Sequence, residues 1–164
     1  MSNLFALDIV GEGTESVESL SSYLYRLAEL HTVTPSLLVS EIASRWGGFD
    51  PKNVLTCPPN ALIRPNGTTE AFVEALARGL ARPVAELQAM TMLGLSEALH
   101  RSMGSYSAHL RWCGACLREQ QESGGSVYFQ LGWQVSLIEA CPAHRVRLRD
   151  RCPACHRRQG GYGL

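Results

Sequence analysis

Apolar residues in the first half of the chain recur every three or four positions, as they do along the buried face of an α-helix. The first stripe comprises Leu20, Leu24, Leu27 and Ala28. Ser16 or Ser19 is placed to cap the N-terminus of this helix. Thr34 and Pro35 are typical of the N-cap and first position of a second helix, which extends to about Arg45. Two helices joined by so short a break form a helix-turn-helix pattern.

Residues 46–68 are rich in Gly and Pro, which predicts a connector to a second pair of helices. The third apolar stripe comprises Phe72, Val73, Leu76 and Leu80. Pro83 opens the fourth helix, whose inward-facing residues are predicted to be Val84, Leu87 and Met90. Residues 94–107 are less regular and predict one further helix around Leu95–Leu99, followed by a linker.

The last third of the chain has a different pattern. Residues 127–138 are rich in aromatic and β-branched side chains, which favours a strand. Residues 145–149 alternate strictly, so a strand there places its arginines on one face and Val146 and Leu148 on the other. The arginine face comprises Arg145, Arg147, Arg149 and, one step further along, Arg151.

The composition is that of a folded, soluble protein, since 45% of the 164 residues are hydrophobic and 18% are charged. No apolar run is long enough to span a bilayer, and residues 1–13 lack the basic and apolar stretches of a signal peptide. We therefore expect a cytoplasmic protein without a membrane partner.

The net charge of zero conceals an asymmetry between the two parts of the chain. Residues 1–99 hold six Lys or Arg and eleven Asp or Glu, a net charge of −5. Residues 100–164 hold nine Arg and four acids, a net charge of +5. This asymmetry predicts an acidic helical part and a basic part that meets nucleic acid.

Two pairs of metal-ligand residues have the two-residue spacer that lets both side chains reach one ion. The pairs are Cys113 with Cys116 and Cys141 with His144. In a reducing cytosol, paired cysteines favour metal binding over disulfide formation. Tetrahedral Cys3His coordination fills all four positions of Zn²⁺ and leaves none for a reactive water. We therefore predict a structural zinc site that supplies folding energy.

A third pair, Cys152 and Cys155, supplies half of another site. Three alternatives are open for it. The pair binds a second zinc completed by a distant His or by a partner, it is metal-free, or it competes with Cys141 and His144 for the first ion. One or two zinc ions are therefore expected.

Trp112 and the Cys113–Cys116 pair resemble the W-C-G-P-C site of thioredoxins, so thiol–disulfide oxidoreduction is an alternative function. That chemistry needs the first cysteine at a helix N-terminus that follows a buried strand, and residues 105–111 do not predict such a strand. The sequence also lacks the H-x-E triplet of zinc deaminases, the G-x-x-x-x-G-K phosphate-binding loop and the G-x-S-x-G elbow. We therefore expect that the protein is not an enzyme.

Two surfaces are candidates for contact with nucleic acid. The second helix of the helix-turn-helix presents Ser36, Ser40, Glu41 and Arg45. A single cation favours a helical pair that contacts protein or only supports the fold, with site-specific DNA binding as the alternative. The arginine strand is the stronger candidate, because guanidinium groups bind phosphate oxygens bidentately. Its alternative role is to protect an exposed strand edge by charge.

Taken in order, several segments resemble the TniQ family of prokaryotic transposition proteins. They are residues 18–28, 76–87, 111–117, 131–134, 141–144 and 152–155. The most specific part runs from C-x-x-C-L through W-Q to C-P-x-H, and the similarity extends over about residues 12–157. By this resemblance, the first four metal ligands match the family's first zinc ribbon, and Cys152 and Cys155 match the first half of its second. The second half is missing, which indicates a degenerate ribbon or a fragment of a longer protein.

The resemblance implies a target-selection adaptor. Such proteins link a target-recognition complex, or the target DNA or RNA, to the AAA+ ATPase regulator that recruits the transposase. In CRISPR-associated transposons the recogniser is an RNA-guided effector. The implied fold is mainly α with a small β part: a helix-turn-helix helical domain at residues 1–104 and a zinc-ribbon domain at residues 105–164. A homodimer remains an open alternative to a monomer.

Overall fold

Helices dominate the computed structural model, which describes residues 4–95 and 106–158. Their bounds are α1 Leu20–Leu30, α2 Pro35–Trp46, α3 Pro51–Leu55, α4 Gly67–Leu80, α5 Val84–Gln88 and α6 Gly114–Glu122. Short 3₁₀ turns lie at Pro59–Ile63, Leu93–Leu95 and Gly132–Gln134. The prediction of a mainly α chain is confirmed. None of the helices described has both the length and the apolar character needed to cross a lipid bilayer.

Side-chain caps start the first two helices where the sequence predicts them. The hydroxyl of Ser19 accepts a hydrogen bond from the backbone N–H of Ser22 at 3.3 Å. The hydroxyl of Thr34 accepts one from the N–H of Leu37 at 3.2 Å. Each cap satisfies one of the N–H groups that a helix N-terminus leaves without an internal partner. Helices α1 and α2 are thus confirmed, and Ser19 rather than Ser16 is the cap.

The apolar stripes of the four predicted helices meet in one core. Its buried members include Leu20, Leu24, Leu27, Leu38, Val39, Ile42, Phe72, Val73, Leu76, Leu80, Leu87 and Met90. The prediction for Val84 is wrong, since this side chain is 37% exposed. Helix α5 is only five residues long, and Leu87 is its buried residue. Met90 is also buried in the core, but it lies beyond the end of the helix.

The predicted connector is itself partly helical. Asp50 caps α3 by accepting a hydrogen bond from the N–H of Lys52 at 2.9 Å. The 3₁₀ turn Pro59–Ile63 then places Leu62 and Ile63 in the core. Elements this short do not produce a periodic pattern over the roughly 11 residues needed to recognise a helix. The further helix predicted around Leu95–Leu99 extends outside the described residues.

The strand predicted for residues 127–138 does not form. Leu131 packs in the helical core, whereas Trp133 packs in a second core beside the cysteines. In a strand these two residues would lie on the same face. The 3₁₀ turn at Gly132–Gln134 instead directs them into different cores. Antiparallel contact among the described residues is limited to single bridges, which join Glu18 to Gln130, Tyr106 to Val135, Trp112 to Arg149 and Ala140 to Arg147.

The predicted arginine strand is also wrong as a regular element. Arg145 adopts a left-handed φ of 55° and closes a turn, and only Arg147 and Arg149 form bridges. The predicted alternation holds for Leu148, which is buried. It fails for Val146, which is 46% exposed. The turn occupies the start of the segment, and extended backbone begins only after it.

Backbone hydrogen bonds join the start of α1 to the later segment that leads into Trp133. The N–H of Ser19 donates to the carbonyl of Phe129, and the N–H of Leu131 donates to the carbonyl of Val17, each at 2.8 Å. These bonds fasten the segment before the 3₁₀ turn to the helical core. The proposed boundary between two domains, after residue 104, lies outside the described residues and stays a prediction.

Candidate metal centre

Three thiols and one imidazole from two separate segments converge on one point. They belong to Cys113, Cys116, Cys141 and His144, and their donor atoms all lie within 4.8 Å of one another. Cys116 Sγ lies 3.5 Å from Cys141 Sγ and 3.2 Å from His144 Nδ1. His144 Nδ1 lies 3.7 Å from the sulfur atoms of Cys113 and Cys141. Tetrahedral ligands of Zn²⁺ are about 3.5–3.8 Å apart, given Zn–S bonds of about 2.3 Å and Zn–N bonds of about 2.0 Å. The cluster has the spacing to hold one metal ion such as zinc.

Helix α6 positions the first two donors. Cys113 is its N-cap residue and Cys116 lies in its first turn, which places both sulfur atoms on one side of the helix start. Trp112, the residue before Cys113, exchanges two backbone hydrogen bonds of 2.9 Å with Arg149. This exchange holds the start of α6 against the segment that follows the second pair of donors.

A tight turn positions the other two donors. The N–H of Arg145 donates to the carbonyl of Cys141, and the N–H of Cys141 donates to the carbonyl of Val146, both at 2.8 Å. The positive φ of Arg145 lets the backbone reverse direction directly after His144. The structure thus brings together all four residues that the sequence predicts as ligands of the first ion.

Glu119, which the sequence does not single out, orients His144. Its Oε1 atom lies 2.8 Å from His144 Nε2. With a metal ion on Nδ1, Nε2 would carry the ring proton and donate a hydrogen bond to the carboxylate. This hydrogen bond raises the pKa of His144. A metal-bound histidine commonly donates its second ring N–H to a carboxylate in this way.

The electrostatics of the thiols favour a cation at the centre. Burial raises the pKa of Cys116, and the sulfur atoms of Cys141 and Cys113 raise it further. Burial also opposes ionisation of Cys141, but the backbone N–H groups of His144 and Ala143 help to lower its pKa overall. The opposite directions arise because like charges this close cannot all form unaided. A divalent ion removes the conflict, since thiolates are the form that binds metal.

Cys116 and Cys141 are not joined in a disulfide. The 3.5 Å between Cys116 and Cys141 is well beyond the S–S bond length of about 2.0 Å, and the cysteines are free. Cys113 has no exposed surface. Trp133 and Leu148 are buried in the same small core, against which Trp112, Phe129 and Ile138 pack. Four protein ligands around one ion leave no open coordination position, so the arrangement suits a structural role.

Two buried amides connect this small core to the helical part. Gln134 Oε1 accepts hydrogen bonds from Asn60 Nδ2 at 2.8 Å and from the N–H of Arg111 at 3.0 Å. Gln134 Nε2 donates to the carbonyl of Arg111 at 3.0 Å. Asn60 Nδ2 also donates to the carbonyl of His109 at 2.8 Å. The amides therefore fix the segment that leads into Cys113. The W-Q motif of the sequence points to Gln134, whereas no motif points to Asn60.

Cys152 and Cys155 repeat the turn of the second ligand pair. The N–H of His156 donates to the carbonyl of Cys152, and the N–H of Cys152 donates to the carbonyl of Arg157, both at 2.9 Å. His156 has a φ of 56°, close to that of Arg145. Backbone N–H groups at Cys155 and Ala154 lower the pKa of Cys152. Within the described residues this pair joins no cluster of three or more metal-binding side chains, so its second zinc stays a prediction.

The four predicted arginines, Arg145, Arg147, Arg149 and Arg151, are all exposed. In the part of the chain that the structure describes, none of them forms an ion pair. Arg147 and Arg149 line one groove, together with Arg118, whereas Arg145 and Arg151 lie outside it. Their contact with nucleic acid stays a prediction.

A comparison with protein families finds one that matches most of the chain. The model of the TniQ family matches residues 11–148. This span contains the four converging donors, Gln134 and α1, and it ends before Cys152. None of the curated proteins matches the chain.

Proposed function

The chain belongs to the TniQ family, and on this premise we propose that it is a target-selection adaptor in transposition. In this role it bridges a target-DNA recogniser to the AAA+ ATPase transposition regulator. The recogniser is an RNA-guided CRISPR effector or another target-binding complex. The mechanism is binding alone, and Zn²⁺ at the Cys113, Cys116, Cys141 and His144 cluster has a structural role.

The observation that carries this proposal is the opposite net charge of the two parts of the chain. Residues 1–99 have a net charge of −5 and residues 100–164 a net charge of +5. Exposed acids of the first part include Asp8, Glu12, Glu15, Glu29 and Glu70. A bridge between a basic partner surface and a nucleic acid or its bound effector needs two such surfaces on one chain.

An apolar groove on the helical part supports contact with a protein there. It has a volume of about 410 Å³ and is lined by Phe5, Val33 and Leu37 among other residues. Phe5 is 77% exposed and Leu37 49% exposed. Large apolar side chains grouped at a surface are typical of protein–protein contact sites. The helical surface is therefore the proposed site of the ATPase.

The alternative of site-specific DNA binding by the helix-turn-helix has less support. Arg45 is the only cation of α2, and its side chain is paired with Glu41 at 2.8 Å. A recognition helix without a free cation has little to offer the phosphates that flank a DNA groove.

The alternative of thiol oxidoreduction also has less support. A redox-active cysteine must be accessible to its substrate, and Cys113 has no exposed surface. Its sulfur atom faces the imidazole of His144 within the cluster.

The adaptor proposal is tested by retention of the zinc-loaded protein on the cognate AAA+ regulator in the presence of ATP and DNA. The Leu37→Glu variant should reduce retention at least tenfold, because it places a charge in the apolar groove. Glu at the third helical position suits the helix dipole, so α2 should remain folded. The matched control is Leu137→Glu, at a residue 78% exposed and outside this groove. No retention of the wild-type protein under any of these conditions would refute the bridging role.

A further inference from the structure

Three arginines from two separate segments line one groove beside the metal cluster. Arg118 comes from α6, whereas Arg147 and Arg149 come from the segment after the second metal-binding turn. The groove has a volume of about 510 Å³, and Gly114 and Ala115 form part of its wall. The backbone exchange between Trp112 and Arg149 holds the two segments side by side.

Among the residues that the structure describes, those that line this groove include no acid. A neighbouring groove on the other side of Arg147, of about 500 Å³, differs in this respect, because Glu139 and Asp150 line it together with Arg111. Arginines elsewhere in the chain, such as Arg45 and Arg158, are paired with carboxylates. Of these two grooves, the first is therefore the one whose described lining offers its arginines no counter-charge.

The three arginines of the groove have no carboxylate partner within residues 4–95 and 106–158. Zinc with three thiolates would place a net charge of about −1 behind the wall of the groove, which three guanidinium groups outweigh. Guanidinium groups that converge without a counter-charge favour an anion, and their planar fork matches the oxygen atoms of a phosphate.

We propose that this groove binds the phosphodiester backbone of a nucleic acid, with Arg118, Arg147 and Arg149 as the phosphate-contacting side chains. The inference rests on the proposed function and names the surface through which the adaptor meets nucleic acid. Basic grooves that follow a nucleic-acid backbone use several separated cations in this way. Arg145 and Arg151, although close in sequence to Arg147 and Arg149, are not part of the lining of this groove.

The space at Gly114 agrees with an occupant of the groove. A Cβ atom added at Gly114 would meet nothing within 4 Å. A side chain at this position of the wall would therefore meet no described protein atom next to its Cβ and is free to extend into the groove. Since Gly114 is the first residue of α6, a glutamate here would be compatible with the helix dipole.

The test is a titration of the zinc-loaded full chain against labelled duplex DNA, single-stranded DNA and RNA of equal length, at several salt concentrations. We expect the triple variant R118Q/R147Q/R149Q to bind at least tenfold more weakly. The magnitude of its slope of log affinity against log salt should fall by about 0.9 on duplex DNA, and by about 0.7 on a single strand, for each phosphate that an arginine no longer neutralises. Whichever of the three nucleic acids the wild-type protein binds most tightly is the one whose backbone the groove prefers.

The matched control removes three charges from the same end of the molecule but outside the groove. It is the triple variant R145Q/R151Q/R157Q, at exposed positions without ion pairs in the described part of the chain. This control should bind less than threefold more weakly than the wild type. An equal decrease in both triple variants would refute the groove, since net charge alone would then explain binding.

Two further variants guard against misfolding of the triple variant. R118K/R147K/R149K should keep the salt slope, because it keeps the charges. Gly114→Glu should weaken binding, because it places both a side chain and a negative charge in the groove. Unchanged affinity in Gly114→Glu with full zinc content would overturn the inference. The inference would also be overturned if the wild-type protein bound none of the three nucleic acids. Since the ATPase could still retain such a protein, the inference can fail while the adaptor proposal stands.

Discussion

Glu119 holds His144 in the orientation that a metal ligand needs. Its carboxylate lies 2.8 Å from Nε2, which leaves Nδ1 directed at three sulfur atoms. The contact joins α6, which carries the first two donors, to the turn that carries the other two. One carboxylate therefore fixes both the tautomer of the imidazole and the relative position of the two ligand pairs.

Replacement of Glu119 should weaken metal binding without removing a ligand. In Glu119→Gln the side chain keeps its size but loses the charge that holds the Nε2 proton. We expect a loss of about 10–100-fold in zinc affinity, as is common when such a partner is removed. Competition with a chromophoric chelator measures the affinity. Glu122→Gln is the control, since Glu122 is an exposed residue at the end of the same helix. Equal affinities for both variants would contradict the orienting role.

The sequence predicted the main helices because their information is local. The Ser19 and Thr34 caps and the apolar stripes of α1, α2 and α4 each lie within a few turns of chain, and the structure has these helices. The spacing of the ligand pairs is local in the same sense. The sequence also predicted that the two pairs converge, because Zn²⁺ in a structural site is held by four such ligands.

Long-range packing explains what the sequence could not predict. Residues 127–138 have the composition of a strand, but Leu131 and Trp133 pack into two different cores, and only the assembled fold shows this. Glu119 has no sequence signal of its own, because its role depends on a turn 25 residues away. Likewise, the groove combines Arg118 with Arg147 and Arg149, which lie in a different segment, and alternation within one segment does not predict such a combination.

The number of zinc ions that the chain binds depends on whether each of the two cysteine turns lies next to further metal-binding side chains. Cys141 and Cys152 occupy equivalent turns, but only Cys141 belongs to a cluster of four donors among the described residues. We expect one zinc per isolated chain, loss of that zinc in Cys141→Ser, and retention of it in Cys152→Ser. Elemental analysis of the purified proteins gives the stoichiometry. A wild-type value of two that falls to one in Cys152→Ser would show that the second turn finds further ligands.

Gln134 should contribute strongly to stability, because its amide is fully buried and bonded on both sides. In Gln134→Leu, the backbone N–H and carbonyl of Arg111 and the amide of Asn60 would lose this partner. Each buried group left unpaired costs about 1–3 kcal/mol, so we expect a loss of at least about 2 kcal/mol in the free energy of unfolding. Denaturant titration of the zinc-saturated protein measures it. Gln121→Leu, at an exposed position of α6, should change stability by less than about 0.5 kcal/mol. If the two variants proved equally stable, the hydrogen bonds of the Gln134 amide would not contribute to the stability of the fold.

The pH dependence of stability should report on Glu18. Burial raises the pKa of this carboxyl above its ordinary value of 4.5, although the charge of Arg26 and the hydroxyl of Ser22 act in the opposite direction. The folded protein therefore holds the proton more tightly than the unfolded chain. The resulting contribution to the free energy of unfolding is full below pH 4.5 and is lost as the pH rises through the pKa of the folded state.

Glu18→Gln removes this titration while keeping a side chain that can accept hydrogen bonds from Arg26 and Ser22. We expect the wild-type protein to lose stability relative to Glu18→Gln as the pH rises above 4.5. Denaturant titrations of both proteins at a series of pH values give the difference, in which the titration of the metal ligands cancels. Glu15→Gln, at an exposed position, controls for the loss of one negative charge. A difference that stays constant with pH, or that moves in favour of the wild type, would show that the ion pair with Arg26 outweighs burial.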